Sequence, residues 1–346
     1  MLAFFGVDAS LFRSAWYLQF LEPGSSAGSV EEYLYWLRQQ PPGAVPEVVV
    51  VGDSRIAEGF AARQANARLD DRVKFWNFGI PGTSPRDWYY ILRDADPSRR
   101  RFAAIVLAID HYADDDSFSS PEDSFVDLNF VIGRLKLSDC WSFAMSMKKW
   151  EYRTGAMSGC LFKGLTLRRD VRALLVDRAE RLARIADWRL NGLGYVSGYG
   201  GSAETLRGLS VDWSHRTIQF PPGAKPWQKE SVQSVVTGLP PPQTGDMTRY
   251  RERWLGGILN LYKASPTRII LVQVPRGPAP NPRQRAPAQF IRTIAGRPRV
   301  KTIPSEMFHD LERPDVFADG VHLNAEGRVL FSDRLTDQVA TILAND

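Results

Sequence analysis

The chain has 346 residues, 44% of them apolar and 24% charged, which supports a packed core in one large domain or two small ones. No stretch reaches the ~18 apolar residues that span a bilayer. Zinc-finger, RNP and P-loop patterns are missing, so no nucleic-acid partner is expected. The net charge of +5 is spread along the chain and suits an acidic substrate or an anionic surface.

The opening "MLAFFGVDASLFRSAWYLQFLEP" lacks a basic n-region and a long apolar h-region, so it does not read as a signal peptide. It is expected to pack on the domain; the other reading is a stub that follows a membrane anchor. Residues 1–45 form an N-terminal extension. Five apolar runs then read as strands: Glu47–Val51, Val73–Phe78, Ala103–Ile109, Arg268–Val274 and Val300–Ile303. The first, third and fourth are nearly continuous Val, Ile, Leu and Ala, the mark of strands buried on both faces of a parallel sheet. Helices are expected over Ile56–Leu69, Arg86–Arg93, Met247–Lys263 and Ala325–Leu343, the last with Asn324 as its N-cap. The run "SRRR", Ser98–Arg101, reads as a solvated cap before the third strand. Strands alternating with helices imply a doubly wound α/β sheet.

About 130 residues, 112–245, interrupt the alternation. They contain an amphipathic helix over Asp170–Leu190 and Gly- and Pro-rich stretches. A structureless loop of that length does not fit a compact domain, so the segment is expected to be an inserted cap beside the sheet's edge. Its tryptophans, Trp141, Trp150, Trp188, Trp213 and Trp227, serve packing or stack on sugar rings. Cys140 and Cys160 form either a disulfide or two buried thiols.

The chemistry concentrates at two places. In "VVVVGDSRIAEGF" an apolar strand runs into Gly52-Asp53-Ser54 and then a helix. Ligands of open α/β sheets bind at the carboxyl ends of strands, where Ser54 sits. Its own N–H lies at a helix start, where partial positive charge favours an anion, which makes it half of an oxyanion hole. Gly-Asp-Ser alone arises by chance in roughly one chain in ten of this length, so a base and an orienting group are needed elsewhere. "FADGVHLNAEG", Phe317–Gly327, supplies them. Asp319 and His322 lie three residues apart before the last helix, so the carboxylate can hold one ring nitrogen and leave the other for Ser54.

These blocks resemble the SGNH/GDSL hydrolase superfamily: "VVVVGDSR" is similar to its first block and "DGVHLNAEG" to its last. The resemblance implies a three-layer α/β/α flavodoxin-like sheet of strand order 2-1-3-4-5. It also implies Ser54 as nucleophile, His322 as base, Asp319 as its partner, and no cofactor or metal. "WNFGIPGTS" is similar to the second block and implies that the Gly79 N–H joins Ser54 in the oxyanion hole. The third block departs. Asp110 and His111 stand in "VLAIDHYADDD" where the family has Gly-x-Asn-Asp, so the asparagine that serves the family as third oxyanion donor has no counterpart there. The resemblance covers 46–111 and 246–346 and leaves out the insertion. Within the superfamily the blocks are similar in tone to bacterial envelope proteins of polysaccharide O-acetylation. That branch implies a glycan or acyl-ester substrate, a membrane acyltransferase partner and an extracytoplasmic place of work. Two rivals remain. One is a non-catalytic binding protein on a decayed hydrolase fold. The other is a metal-dependent phosphoesterase built from Asp53, Asp110, His111, Asp114–Asp116, Asp319 and His322.

Overall fold

The structure is a computed structural model that describes residues 2–109, 112, 125–192, 198–237, 244–279 and 287–345. Five parallel strands form its centre: β1 (Glu47–Gly52), β2 (Lys74–Gly79), β3 (Phe102–Ile109), β6 (Arg268–Gln273) and β7 (Val300–Thr302), in the order β2-β1-β3-β6-β7. All five fall on the predicted apolar runs. The alternation within β1 explains why the run is unbroken: Val49 and Val51 enter the core on one face, Val48 and Val50 the core on the other. A short hairpin, β4 (Ser210–Asp212) and β5 (Thr217–Gln219), stands apart from this sheet.

Helices cover both faces. On one lie α1 (Leu2–Phe12), α2 (Ser26–Gln39), α5 (Pro85–Ala95) and α12 (Thr244–Leu261). On the other lie α3 (Ser54–Gly59), α4 (Ala62–Arg68) and α14 (Ala325–Ala344). The predicted helix over Ile56–Leu69 is therefore two helices. The chain breaks at Phe60 and Ala61, where the Asn77 amide takes the Phe60 carbonyl at 2.8 Å and the Ser332 hydroxyl takes the Ala61 N–H at 2.8 Å. A last short helix, α13 (Gln289–Ala295), packs beside β7.

The N-terminal extension belongs to the core. Val30, Tyr33, Leu34 and Leu37 are buried along one stripe of α2. The Tyr33 hydroxyl donates to the Gly79 carbonyl at 2.7 Å, fastening α2 to the end of β2.

The described parts of the insertion lie on both faces of the sheet. Its first part, α6 (Asp127–Val131), α7 (Leu137–Ala144), α8 (Trp150–Leu161), α9 (Lys163–Val176) and α10 (Arg178–Asn191), packs on the α1–α2–α5 face. Its second part, residues 198–237 with α11 (Pro226–Thr237), lies on the α3–α14 face. The predicted helix over Asp170–Leu190 is broken at Asp177. Cys140 and Cys160 are bonded as a disulfide joining α7 to α8. Trp188 is buried against Tyr35, whereas Trp141 and Trp150 are exposed.

Because Leu34 is fully enclosed, Leu34→Ala should lower unfolding free energy by about 2–5 kcal/mol. Urea denaturation of the full chain measures this. An unchanged midpoint would mean that α2 is not part of the cooperative core.

Candidate active site

Ser54 opens α3 directly after β1. Asp53 is the N-cap, its carboxylate accepting the Arg55 N–H at 2.9 Å and the Arg55 guanidinium Nη2 at 2.6 Å. Its backbone carbonyl accepts from Ile56 and Ala57. The Ser54 N–H, in the first helical turn, has no hydrogen-bond partner among the described residues. The turn is tight: a Cβ on Gly52 would lie 2.4 Å from Ile56 Cγ1.

Ser54, His322 and Asp319 converge. Ser54 Oγ lies 2.8 Å from His322 Nε2, and His322 Nδ1 lies 2.8 Å from Asp319 Oδ2. The other Asp319 oxygen accepts the backbone N–H groups of Val321 and His322, each at 2.8 Å. Asp319 thus closes a turn and, from the same position, holds the imidazole. Burial pushes the Asp319 carboxyl up, but the hydrogen bonds from His322 and the two amides outweigh it and hold the group below its ordinary value. Burial likewise disfavours a charged His322. The hydrogen bond and charge of Asp319 outweigh that, with Glu58 and Asp53 adding to them, and the imidazole is held above its ordinary value.

Gly79 does not have the expected role. Its N–H donates to Asn77 Oδ1 at 2.8 Å and its carbonyl accepts from Tyr33, so both backbone groups are committed. Glycine is needed there for another reason. A Cβ would sit 2.1 Å from the Ala57 nitrogen, so any side chain would push α3 off β2. An uncommitted N–H in the same "GIPGTS" block belongs to Gly82, three residues on. It has φ of +81°, and its N–H has no partner among the described residues. Its turn is tied to the Gly52 carbonyl by the Ile80 N–H at 3.0 Å and the Thr83 hydroxyl at 3.2 Å, two residues before Ser54. The second glycine in that block was the sequence signal for it. Asp110 and His111 of the atypical third block, and Asp114–Asp116, lie outside the described residues.

Both parts of the insertion reach this edge. From α6, Asp127 accepts the Ser84 hydroxyl at 3.0 Å and Phe130 lies against Gly82. From α11, the Gln228 amide donates to the Ala318 carbonyl at 2.7 Å and the Ser231 hydroxyl accepts the Gly320 N–H at 3.0 Å. The Gln228 and Ser231 contacts hold the loop that carries Asp319. Neither was apparent from sequence, because both span about ninety residues.

Of the carboxylates named for a metal centre, the two that are described are engaged otherwise, Asp53 by Arg55 and Asp319 by His322 and the loop amides. No group of three or more His, Cys, Asp or Glu is placed to hold a metal ion among the described residues. No protein-family model matches the chain, and no curated protein matches it.

The arrangement predicts the titration of His322. Its NMR midpoint should lie above the ordinary value of 6.5. In Asp319→Asn the raising partner is lost while burial remains, so the midpoint should fall. Equal midpoints in the two proteins would refute the coupling.

Proposed function

We propose that this chain is an SGNH/GDSL-type serine esterase or O-acyltransferase whose substrate is an acyl ester on a glycan. The observation that carries the reading is the continuous relay of Ser54 Oγ, His322 Nε2, His322 Nδ1 and Asp319 Oδ2, with both links at 2.8 Å. The strand order β2-β1-β3-β6-β7, with helices on both faces, fits the flavodoxin-like fold of that superfamily.

In this mechanism Ser54 Oγ attacks the ester carbonyl carbon while His322 Nε2 takes the hydroxyl proton. Asp319 holds Nδ1–H, fixing the tautomer and stabilising the imidazolium. The carbonyl oxygen gains negative charge and is met by the N–H groups of Ser54 and Gly82. The intermediate collapses to an acyl-enzyme as His322 returns the proton to the departing alcohol. Water or an acceptor hydroxyl then attacks, with His322 as base again.

Support for a glycan comes from Trp227. It is exposed on α11, next to Gln228, which holds the loop carrying Asp319. An exposed indole on the helix that braces this loop offers a face to a sugar ring. The disulfide fits work outside the cytoplasm, and a membrane acyltransferase remains the partner that the envelope branch implies.

The test uses turnover of 4-nitrophenyl acetate and labelling by a fluorophosphonate. Ser54→Ala should abolish both, and His322→Ala should fall nearly as far, because the residues act as a unit. Asp319→Asn should keep the fold and lose about 10³–10⁴-fold in rate. Since His322 must be neutral to act as base, the wild-type rate should fall on the acid side with a midpoint above 6.5. Unchanged turnover in Ser54→Ala would falsify the mechanism. A wild type that neither turns over esters nor takes the label would favour the binding-protein rival.

A further inference from the structure

At the amino-terminal ends of β1, β3, β6 and β7, the opposite edge of the sheet from Ser54, lies a cleft of about 760 Å³. Arg100, Arg101, Arg268, Arg299 and Lys301 line it, against one acid, Glu47. That acid is already matched: its carboxylate accepts from Arg101 Nε at 2.9 Å, from the Trp76 indole at 3.1 Å and from the Gly43 N–H at 3.2 Å. Five cationic side chains against one acid leave the lining net positive.

The "SRRR" run is therefore more than a solvated cap. The Asp96 carboxylate accepts the N–H groups of Arg100 and Arg101 at 3.1 and 3.3 Å, which orders the run. Arg99 and Arg299 both adopt left-handed backbone, with φ of +59° and +64°. Those conformations favour glycine, yet arginine occupies both. Ser265 ties the two turns together, its hydroxyl donating to the Arg99 carbonyl while its own carbonyl accepts from Arg299. Two strained turns braced on one serine thus set the basic wall.

We propose that this cleft binds a carboxylate-bearing glycan chain, with successive anionic groups held by Arg100, Arg268, Arg299 and Lys301. Guanidinium groups predominate, and their planar fork matches a carboxylate. A flat bilayer cannot follow a recess. The lining offers only Phe102 as an aromatic, and it is 1% exposed, so bases have no surface to stack on. The anion site stands independently of Ser54; the choice of a glycan as the polymer rests on the reading of the protein as a glycan esterase. A chain held here is anchored away from the reacting serine, so the site would set affinity for the polymer and leave the chemistry of a small ester untouched.

Calorimetric titration of the full chain with hexagalacturonate is the test, with maltohexaose, a single-stranded DNA oligomer and phosphatidylglycerol vesicles as comparison probes. Hexagalacturonate should bind, more weakly as salt rises, and maltohexaose should not. The triple variant Arg100→Glu, Arg299→Glu, Lys301→Glu should lose at least about tenfold in affinity, equivalent to about 1.4 kcal/mol. The milder Arg100→Ala, Lys301→Ala pair should lose less, and serves if the triple variant does not fold. Both variants should keep wild-type turnover of 4-nitrophenyl acetate, and Ser54→Ala should keep wild-type binding, so failure of the cleft and failure of the esterase reading are separable. The proposal is overturned if hexagalacturonate does not bind, if the folded variants bind as the wild type does, or if DNA, vesicles or maltohexaose bind more tightly.

Discussion

The side-chain amide of Asn77 fixes the geometry on which the site depends. It is buried, and its two N–H protons are shared among the carbonyls of Ile56, Ala57 and Phe60 at 3.0, 3.3 and 2.8 Å, while its oxygen accepts the Gly79 N–H. A six-residue helix has few internal hydrogen bonds and is marginal alone. Here the carbonyls of its last turn are taken by Asn77 from β2 and by Arg328 from α14, which donates to Ala57 at 3.2 Å and also to Glu58. With both neighbours gripping its end, α3 cannot roll on the sheet, and Ser54 at its start is held in one position. The glycine at 79 lets the two elements come close enough for this grip.

The same helix grip links the two distant parts of the relay. Arg328 lies one turn into α14, and Asn324 caps that helix by accepting the Gly327 N–H at 3.0 Å. Immediately before it stands the loop with Asp319 and His322. Ser54 and His322 are separated by 268 residues, yet each sits within a few residues of a contact between α3 and α14. The electrostatics follow from that placement. His322 faces the carboxylates of Asp319, Glu58 and Asp53, but hydrogen-bonds only to Asp319 among them. Asp53 is balanced by Arg55, and burial pushes the Glu58 carboxyl up. One carboxylate therefore orients the imidazole while the others only raise its basicity.

What sequence reveals here divides by physical range. The strands were legible because burial on both faces leaves an unbroken apolar run. Ser54, Asp319 and His322 were legible because each lies in a short block where strand, turn and helix signals adjoin. Gly79 was misread because a glycine kept for close approach and a glycine kept for an exposed N–H look alike in sequence; only Asn77 at hydrogen-bond distance tells them apart. The N-terminal segment was expected to pack on the domain, and the stripe of Val30, Tyr33, Leu34 and Leu37 on α2 is what does so, although no helix was predicted there. The division of the insertion between two faces could not be read at all. It depends on contacts such as Asp127 with Ser84 and Ser231 with Gly320, and neither partner advertises the other.

A parallel sheet also explains why two unlike surfaces occur on one core. All five strands run the same way, so every carboxyl end falls on one edge and every amino end on the other. At the carboxyl edge the chain leaves strands into helix starts, where unpaired N–H groups favour developing negative charge at a single point. At the amino edge it enters strands through turns, and four of those entries carry basic side chains before or at the first strand residue. The first edge suits a transient oxyanion; the second suits a permanent, spread-out anion. About six residues of β-strand lie between them, roughly 20 Å at 3.3 Å per residue. At that distance two unit charges interact by only about 0.2 kcal/mol in water and about 0.8 kcal/mol at an effective dielectric of 20, so each charge of the cleft acts weakly on the relay at Ser54, and each edge keeps its own chemistry.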